Sequence, residues 1–492
     1  MAYPQVLGLP ASMDFKMPPA ISDGCRAYSV HQAPDGITTM TSNAPPATLF
    51  VANSSCAVSS FGGGQVISFT LPSGMGSNVF MSPWDTTLSF NLTYTVSTAT
   101  VPGANTLGFN LIGSAASFFD SCVVYSNSVP LETINGYGQL QNFLLANTVS
   151  QSERSGGISV AMGADNNSLN GMDLPHTATG TYTYSYCIPL MSILGFNSEK
   201  LIPVGSVSNL QLQMTITSGN FPIVTYASGV TGLTQPALSG FTLNNFSLNM
   251  KYISLDDMSA SLLRQTLQDG KWFVRATTYT QSSAVLPSGS SGNQQILLQI
   301  RNSSVRSVLQ YFNTSAALGI CPNHIYDAIG IATSSRQLQI AGAYFPNRPL
   351  NDLNRPAEAY CYLIQSLSGV ASPVKALGTI VERGAYNACI VSAPAGSDNT
   401  IVLPANASRG APTGSDLGSS LIYKLPNSAY YGYDTERVNG SLLSGINTRA
   451  SPPFLNCNIS VATPQTITCS AWGLSDVILV FDVNSQSVQA YI

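Results

Sequence analysis

Few residues of this 492-residue chain have types and spacing that could do chemistry. Cys321, His324 and Asp327, in the run CPNHIYD, stand at intervals a metal ion could use. A closed zinc site needs four such ligands, and no second Cys/His pair at ligand spacing supplies the fourth. The plainer reading is a capped loop with a packed cysteine. His176 follows Pro175 in a Gly/Thr-rich stretch that reads as surface loop, and His31 is the remaining histidine. Asp256 and Asp257 are paired carboxylates at the start of a helix pattern, where capping accounts for them. A glycosidase needs two acids converging on a cleft, and the 23 Asp+Glu are scattered. Gly62-Gly63-Gly64 leads into a strand pattern, not into the helix that a phosphate cradle requires. Trp84, after Pro83, reads as an anchor of a sheet. The tyrosines sit at strand-core positions, not as a stacking platform for bases. There is no G-x-S-x-G elbow, Walker A loop or HExxH. We therefore expect no catalytic residue, no cofactor-binding residue and no metal ligand.

Composition narrows the classes further. The apolar fraction of 44% is ordinary, but the charged fraction is 9%, against roughly 25% in a typical globular protein. Disordered chains are charge-rich and poor in aromatics, so disorder is excluded. A surface with so few charges tends to self-associate, which predicts that copies of the chain cover much of it. A net charge of −4 with 19 Lys+Arg leaves no electrostatic footprint for nucleic acid, and the first thirty residues hold only Lys16 and Arg26, so no basic arm is present. The beginning, MAYPQVLGLP, has no secretory pattern, and apolar runs such as Val477–Phe481 are strand-sized. Nine cysteines without a C-x-x-C pair read as reduced core residues. Sequons such as those at Asn91, Asn302 and Asn439 are expected by chance in so Asn/Ser/Thr-rich a chain, and synthesis in the cytosol or nucleus follows.

The element that organises the pattern lies at 336–367. Leu338 and Ile340 alternate with Gln337 and Gln339, the period of a half-buried strand. Phe345-Pro346-Asn347-Arg348-Pro349 predicts an extended turn. Pro356 suits the first turn of a helix, Glu358 complements its dipole, and Tyr360, Leu363, Ile364 and Leu367 make one apolar stripe. The same unit occurs at 119–147: a β-rich run, a Ser126-Asn127 turn, Pro130, then Leu140, Phe143 and Leu144 on one helix face. A displacement of about 220 residues is far longer than a solenoid unit of roughly 20–50, so a whole domain is present twice.

Around these units the strand signals are many. Leu88, Phe90, Leu92, Tyr94 and Val96 alternate with Ser89, Asn91, Thr93 and Thr95, and similar runs occur at 65–71, 182–188, 210–216 and 246–252. Further strands are predicted at 272–280, 296–300, 336–340, near Ile380, at 388–391, 421–423, 466–469 and 477–483. Asp256-Asp257 followed by SASLLRQTL, to Leu267, predicts a short capped helix between the domains. The Gly/Ser/Pro-rich connections 283–294 and 393–418 are expected to form an outer tower and inter-subunit contacts. The fold class is all-β with a few short helices: two tandem antiparallel jelly-roll sandwiches, a double jelly roll. We divide it as an extended N-terminal arm at 1–50, a first jelly roll at 51–257 and a second at 258–492.

Ala341 through Pro349 leading to Ala357-Glu358-Ala359-Tyr360, Leu194-Gly195 with Lys200-Leu201-Ile202-Pro203, and Phe118-Phe119 through Tyr125 carry a resemblance. The chain resembles the double jelly-roll major capsid proteins of eukaryotic double-stranded DNA viruses, of the virophage, polinton-like and adintovirus type. The likeness spans roughly 60–485 as order and spacing of elements. It implies a structural protein without enzymatic activity, forming pseudo-hexagonal homotrimeric capsomers that tile an icosahedral virion shell. Implied partners are further copies of itself, penton proteins and minor or cement capsid proteins, with no sequence-specific nucleic acid contact. Two other classes remain open at this stage: a carbohydrate-binding or carbohydrate-active β-sandwich protein, and an RNA-virus coat with projecting domains.

Overall fold

The computed structural model describes residues 26–35, 60–72, 76, 78–98, 105–109, 114–148, 161–163, 173–174, 179–218, 223–227, 237–265, 267, 269–314, 331, 333–352, 355–367, 430–436, 443–460, 463 and 466–492. Alternation decides which side chains turn inward. In β3 (Val79–Thr98), Leu88, Phe90, Leu92, Tyr94 and Val96 are buried, and the polar residues between them are half-buried. β3 is interior to an antiparallel sheet of order β1 (Arg26–Gln32), β11 (Ala237–Ser254), β3, β8 (Gly180–Pro189). Its companion sheet has the order β2 (Val66–Thr70), β9 (Leu210–Ile216), β5 (Phe119–Ser126), β6 (Val129–Asn135). Ile67, Phe69, Cys122, Val124, Leu212 and Met214 of that sheet join the same core. Phe90 is its hub, with the rings of Phe118, Phe119, Tyr186 and Phe246 centred 5.3 to 6.4 Å away. A small third sheet, β10 (Ile223–Ala227), β4 (Asn105–Phe109), β7 (Asp173–Leu174), belongs to the same half of the chain.

The second half repeats the plan. One sheet runs β12 (Lys271–Leu286), β19 (Ile467–Asp482), β14 (Val305–Thr314), β17 (Tyr430–Asp434), with β20 (Ser487–Tyr491) on the far end of β19. The other runs β13 (Gly292–Leu297), β18 (Phe454–Ile459), β15 (Thr333–Ile340), β16 (Ala343–Leu350). Strand for strand, β1, β11, β3, β8 take the places of β12, β19, β14, β17, and β2, β9, β5, β6 those of β13, β18, β15, β16. Even the isolated bridges agree: Met81 meets Ile202 in one half as Val305 meets Ile446 in the other. Among the described residues the named strands pair within their own half, and the bridge Ser198↔Ala276 crosses between halves.

The repeated hairpin-and-helix unit is present in both copies. β5 and β6 turn through Asn127-Ser128 (φ 48° and 67°), β15 and β16 through Ala341-Gly342 (φ 49° and 83°). Two consecutive positive φ values match the right-handed twist of a two-residue hairpin. Each hairpin breaks register beside its prolines, between Val124 and Tyr125 in one and between Arg336 and Leu338 in the other. Proline has no N–H for the ladder, so a bulge is where it is tolerated. Helices α1 (Tyr137–Thr148) and α3 (Pro356–Ser366) follow, and α2 (Asp257–Gln265) joins the halves. α3 lies on β17 at Gly432, where a Cβ would run into Ser366 and Leu363.

Several sequence-based expectations are corrected. Phe345–Pro349 is not a turn but part of β16, because the bulge absorbs both prolines. The stretch 283–294 is no tower: β12 runs to Leu286 and β13 starts at Gly292, so a short turn at 287–291 joins them. The predicted strands 466–469 and 477–483 are one strand, β19, which is buried on both faces and so shows no alternation. The predicted strand 296–300 ends at Leu297. Of residues 1–50, Arg26–Gln32 form β1, whose neighbour is β11 of its own chain. The predicted strands near Ile380, at 388–391 and at 421–423, and the connection 393–418, lie outside the described residues.

Candidate assembly surfaces and the junction between the sandwiches

The residues singled out for chemistry do not converge. His31 lies on β1, exposed, with Nδ1 2.7 Å from Asn249 Oδ1. His176, Cys321, His324 and Asp327 lie outside the described residues. Asp256 caps α2 by accepting from the Ser259 N–H at 3.0 Å, and bonds to Ser259 hold its pKa below the usual carboxylate value. Asp257 stands in the first turn of that helix. Gly62–Gly64 forms the approach to β2, and Trp84 is half-buried within β3. Among the described residues no group of three His, Cys, Asp or Glu could hold a metal, and no helix is long and apolar enough to cross a membrane. Of the described cysteines, Cys122, Cys457 and Cys469 are buried core residues, Cys187 is half-buried and Cys361 is exposed.

The densest polar chemistry lies instead where the sandwiches meet. The loop after β8 covers the edge of β12: Thr277 N–H donates to Asn197 O at 2.8 Å and Glu199 N–H to Arg275 O at 3.2 Å. Trp472 on β19 is fully buried and donates from Nε1 to Asn135 O, 3.2 Å, at the end of β6. Tyr311 stacks on it at 5.7 Å and 16°, while Phe143 of α1 approaches Tyr430 edge-on at 4.9 Å. The outer face of the β12-β19-β14-β17 sheet is thereby an aromatic seat for α1.

Glu132 of β6 sits in this junction, 1% exposed. Its Oε2 accepts from the Ile193 N–H at 2.9 Å and its Oε1 from the Thr278 hydroxyl at 2.8 Å, the latter across the two halves. Burial pushes its pKa up to about 7, against the opposing pull of the Ile193, Thr278 and Ser192 hydrogen bonds. The surroundings are Cys122, Tyr137 and Tyr279, and Glu132 lines neither surface groove described below. The raised value arises from burial at the junction between the sandwiches. Its sign has a consequence. An unfolded carboxyl has lost its proton by pH 5, whereas folded Glu132 keeps it until about pH 7. The native state binds more protons in that window, so stability falls as pH rises through it. We expect a loss of about 3 kcal/mol between pH 5 and pH 8, read from urea midpoints. In Glu132→Gln this slope should vanish; an unchanged slope would assign it to other groups.

Two further buried charge groups pin the second sandwich. Asp476, fully buried, accepts from Arg275 Nη2 at 3.1 Å, Ser304 Oγ at 2.8 Å and the Ser444 N–H at 3.2 Å. Arg306 pairs with Glu436 at 3.3 Å beside it. Arg336, also fully buried, is held by Asp352 through two bonds of 2.9 and 2.8 Å, by the Tyr433 hydroxyl and by the Tyr431 ring, 3.7 Å from its guanidinium carbon. Burial by itself would lower the guanidinium pKa, but Asp352, Tyr433 and Tyr431 outweigh it and hold it above the ordinary value. None of these residues was a sequence-based candidate. The available signal was a lone charge inside an apolar strand of a charge-poor chain, as in SAWGLSDVILVF.

Among the described residues, the outer faces of the β1-β11-β3-β8 and β13-β18-β15-β16 sheets are rich in hydroxyl and amide side chains. On β3 and its neighbours, Thr93 and Thr95 pair with Thr183 and Thr181 at 3.1 Å, and Asn249 Nδ2 donates to Ser89 Oγ at 3.0 Å. On the β13-β18-β15-β16 sheet a shallow groove is lined by Gln295, Gln337, Gln339, Tyr344, Asn456 and Asn458 among others. A second groove, between Val129–Leu131 and Ser487–Tyr491, exposes Val129 and Tyr491. Cross-strand hydroxyl and amide ladders of this kind stabilise a sheet modestly.

No protein-family model matches the sequence, and no curated protein matches it. Solved structures do. The PBCV-1 capsid protein fitted into a reconstruction of the virophage Sputnik superposes with a TM-score of 0.54 at 12% identity, covering 95% of this chain and 97% of that one. The PBCV-1 capsid in its quasi-atomic description gives 0.51 at 13% identity, covering 93% and 94%. The Faustovirus major capsid protein gives 0.50 at 8% identity, covering 92% and 90%. At these identities the likeness is one of fold, and it agrees with the duplicated strand order: the chain is a double jelly roll, built on the plan of those viral capsid subunits.

Proposed function

We propose that the chain is a major capsid protein of a double-stranded DNA virus, three copies of which close into a pseudo-hexagonal capsomer tiling an icosahedral shell. The observation that carries this reading is the strand-for-strand repetition of one sandwich in a single polypeptide. Three such chains present six like walls, and closed cyclic symmetry is the usual way to cover sheet edges. Outer faces rich in Ser, Thr, Asn and Gln suit wide contacts between copies. The units are the jelly rolls 51–257 and 258–492, with β1 laid onto the first. The protein acts in the virion without enzymatic activity, after synthesis in the host cytoplasm or nucleus. Its partners are sister copies, penton proteins and minor or cement proteins. A net charge of −4 leaves genome neutralisation to other components. Size-exclusion chromatography with light scattering tests the reading: the expected mass is three times 51.8 kDa. A monomer retained on a glycan resin would instead identify a carbohydrate-binding sandwich.

A further inference from the structure

A flap from the first sandwich is laid over the second, and one carboxyl holds it there. After β8 the chain folds on itself. The Gly195 N–H donates to Ser192 O at 2.8 Å, the Phe196 N–H to Leu190 O at 3.0 Å and the Ser198 N–H to Gly195 O at 3.1 Å. Glycine permits this fold-back, because a Cβ at Gly195 would run into Leu190 O. The base of the flap stays with its own half: the Leu190 N–H donates to Thr86 O, and the Met191 N–H to the Tyr137 hydroxyl. Its tip serves the other half, where Asn197, Ser198 and Glu199 act as an added strand on β12. Glu132 is the polar centre of the arrangement. It accepts from the flap at the Ile193 N–H and from β12 at Thr278, and a bond to Ser192 is a second hold on the flap.

A neutral carboxyl suits that position. It accepts from the Ile193 N–H and can donate its own proton to the hydroxyl of Thr278 or Ser192, so its polar atoms are satisfied. A carboxylate at the same place is a buried charge and needs a counter-ion. The influences on Glu132 are burial and its three hydrogen bonds, with neither Lys200 of the flap nor any other cation among them. Cys122 of β5, Tyr137 of α1 and Tyr279 of β12 stand around it. Arg306 of β14 acts on Tyr279 but is engaged by Glu436 at 3.3 Å and Asp476 at 3.8 Å. Arg275 of β12 is engaged by Asp476 at 3.1 Å and Glu199 at 3.6 Å. An ionised Glu132 adds another carboxylate to a neighbourhood where acids already outnumber guanidiniums.

We propose that the proton on Glu132 operates the flap. Protonated, the carboxyl clasps residues 190–199 to β12; once the proton leaves, water enters to solvate the charge and the flap lifts. The lifted state bares the Thr277 N–H and Arg275 O, an edge open to another strand. The seat of α1 on Tyr311, Tyr430 and Trp472 holds no carboxyl and stays closed, so the opening is local. The flap belongs to a single chain, and its opening does not depend on the capsomer reading.

Hydrogen–deuterium exchange of the full chain, read by peptide mass spectrometry and corrected for the pH dependence of intrinsic exchange, tests the flap. Residues 190–199 are expected to exchange faster than β3 and β14 and without response to dilute urea, the mark of a local opening. Their protection should fall on the order of 50-fold from pH 5 to pH 8 in the parent chain. It should stay constant in Glu132→Gln, an amide of the same shape that cannot ionise. Protection independent of pH in the parent, or exchange that shares the urea dependence of β3, overturns the proposal. So does a fall of equal size in Glu132→Gln. Should that variant not fold, Thr278→Val decides. The Thr278 hydroxyl favours the ionised carboxyl, so its loss is expected to extend the fall in protection to higher pH, and an unmoved profile rules out Glu132 as the operating group.

Discussion

Asp352→Ala is expected to destabilise the second sandwich by about 3–5 kcal/mol, the usual result of removing one partner of a buried ion pair. Asp352 supplies the two acceptors of the Arg336 guanidinium and also accepts from the Thr333 hydroxyl. Without it, Arg336 remains fully buried with only the Tyr433 hydroxyl and the Tyr431 face to answer its charge. The location amplifies the effect, because Arg336 sits at the break in register between β15 and β16, where ladder bonds are already missing. A double-mutant cycle distinguishes charge from packing. The pair Arg336→Met with Asp352→Leu should lose far less than either single variant, since hydrophobic replacements of a whole buried pair are often neutral or better. Urea denaturation followed by near-ultraviolet circular dichroism measures all four proteins. Additive losses would refute the pairing argument.

Trp472→Ala should cost about 3–5 kcal/mol as well, from the cavity that a buried indole leaves in a core unable to collapse around it. The indole stacks on Tyr311, lies 6.5 Å from Phe143 and donates to Asn135 O across the junction. The loss should therefore appear in the coupling between sandwiches as well as in the second sandwich. Calorimetry is expected to show one transition for the parent chain and two for the variant, while Trp472→Phe retains most of the stacking and a single transition. A variant that melts in one step at an unchanged temperature would show that the aromatic seat does not hold the halves together.

Much of this architecture can be read from residue order, for a physical reason. A sheet with one wet face writes its period into the chain, so β3, β9 and β15 are visible as alternations. A turn and a helix start need particular residues, which made the hairpin-helix unit recognisable twice. What failed to show was governed by contacts distant in sequence. β19 has both faces covered, so it reads as an apolar tract broken by Gly473 and Asp476, and its continuity follows only from its neighbours. β1 reads only as part of an extended arm, because nothing local announces β11 as its partner. The buried charges were silent for the same reason: the run containing Arg336 is RQLQI, and nothing in it names Asp352 or Tyr431. Of the residues whose types could do chemistry, those that fall on described residues, His31, Gly62–Gly64, Asp256 and Asp257, stand apart from one another on β1, before β2 and at the start of α2.

Position along the chain also sets a timetable during synthesis. His31 of β1 and its partner Asn249 are 218 residues apart, so at ~5–20 residues per second the first strand emerges from the ribosome about 10–45 s before its ladder can form. Arg275 of β12 and Asp476 of β19 are separated by 201 residues, and the second half waits almost as long. The first sandwich has all its strands before β12 has been translated, so it is complete and ready as a platform when the second begins to fold. Throughout both intervals an unpaired strand edge is open to pairing with another chain.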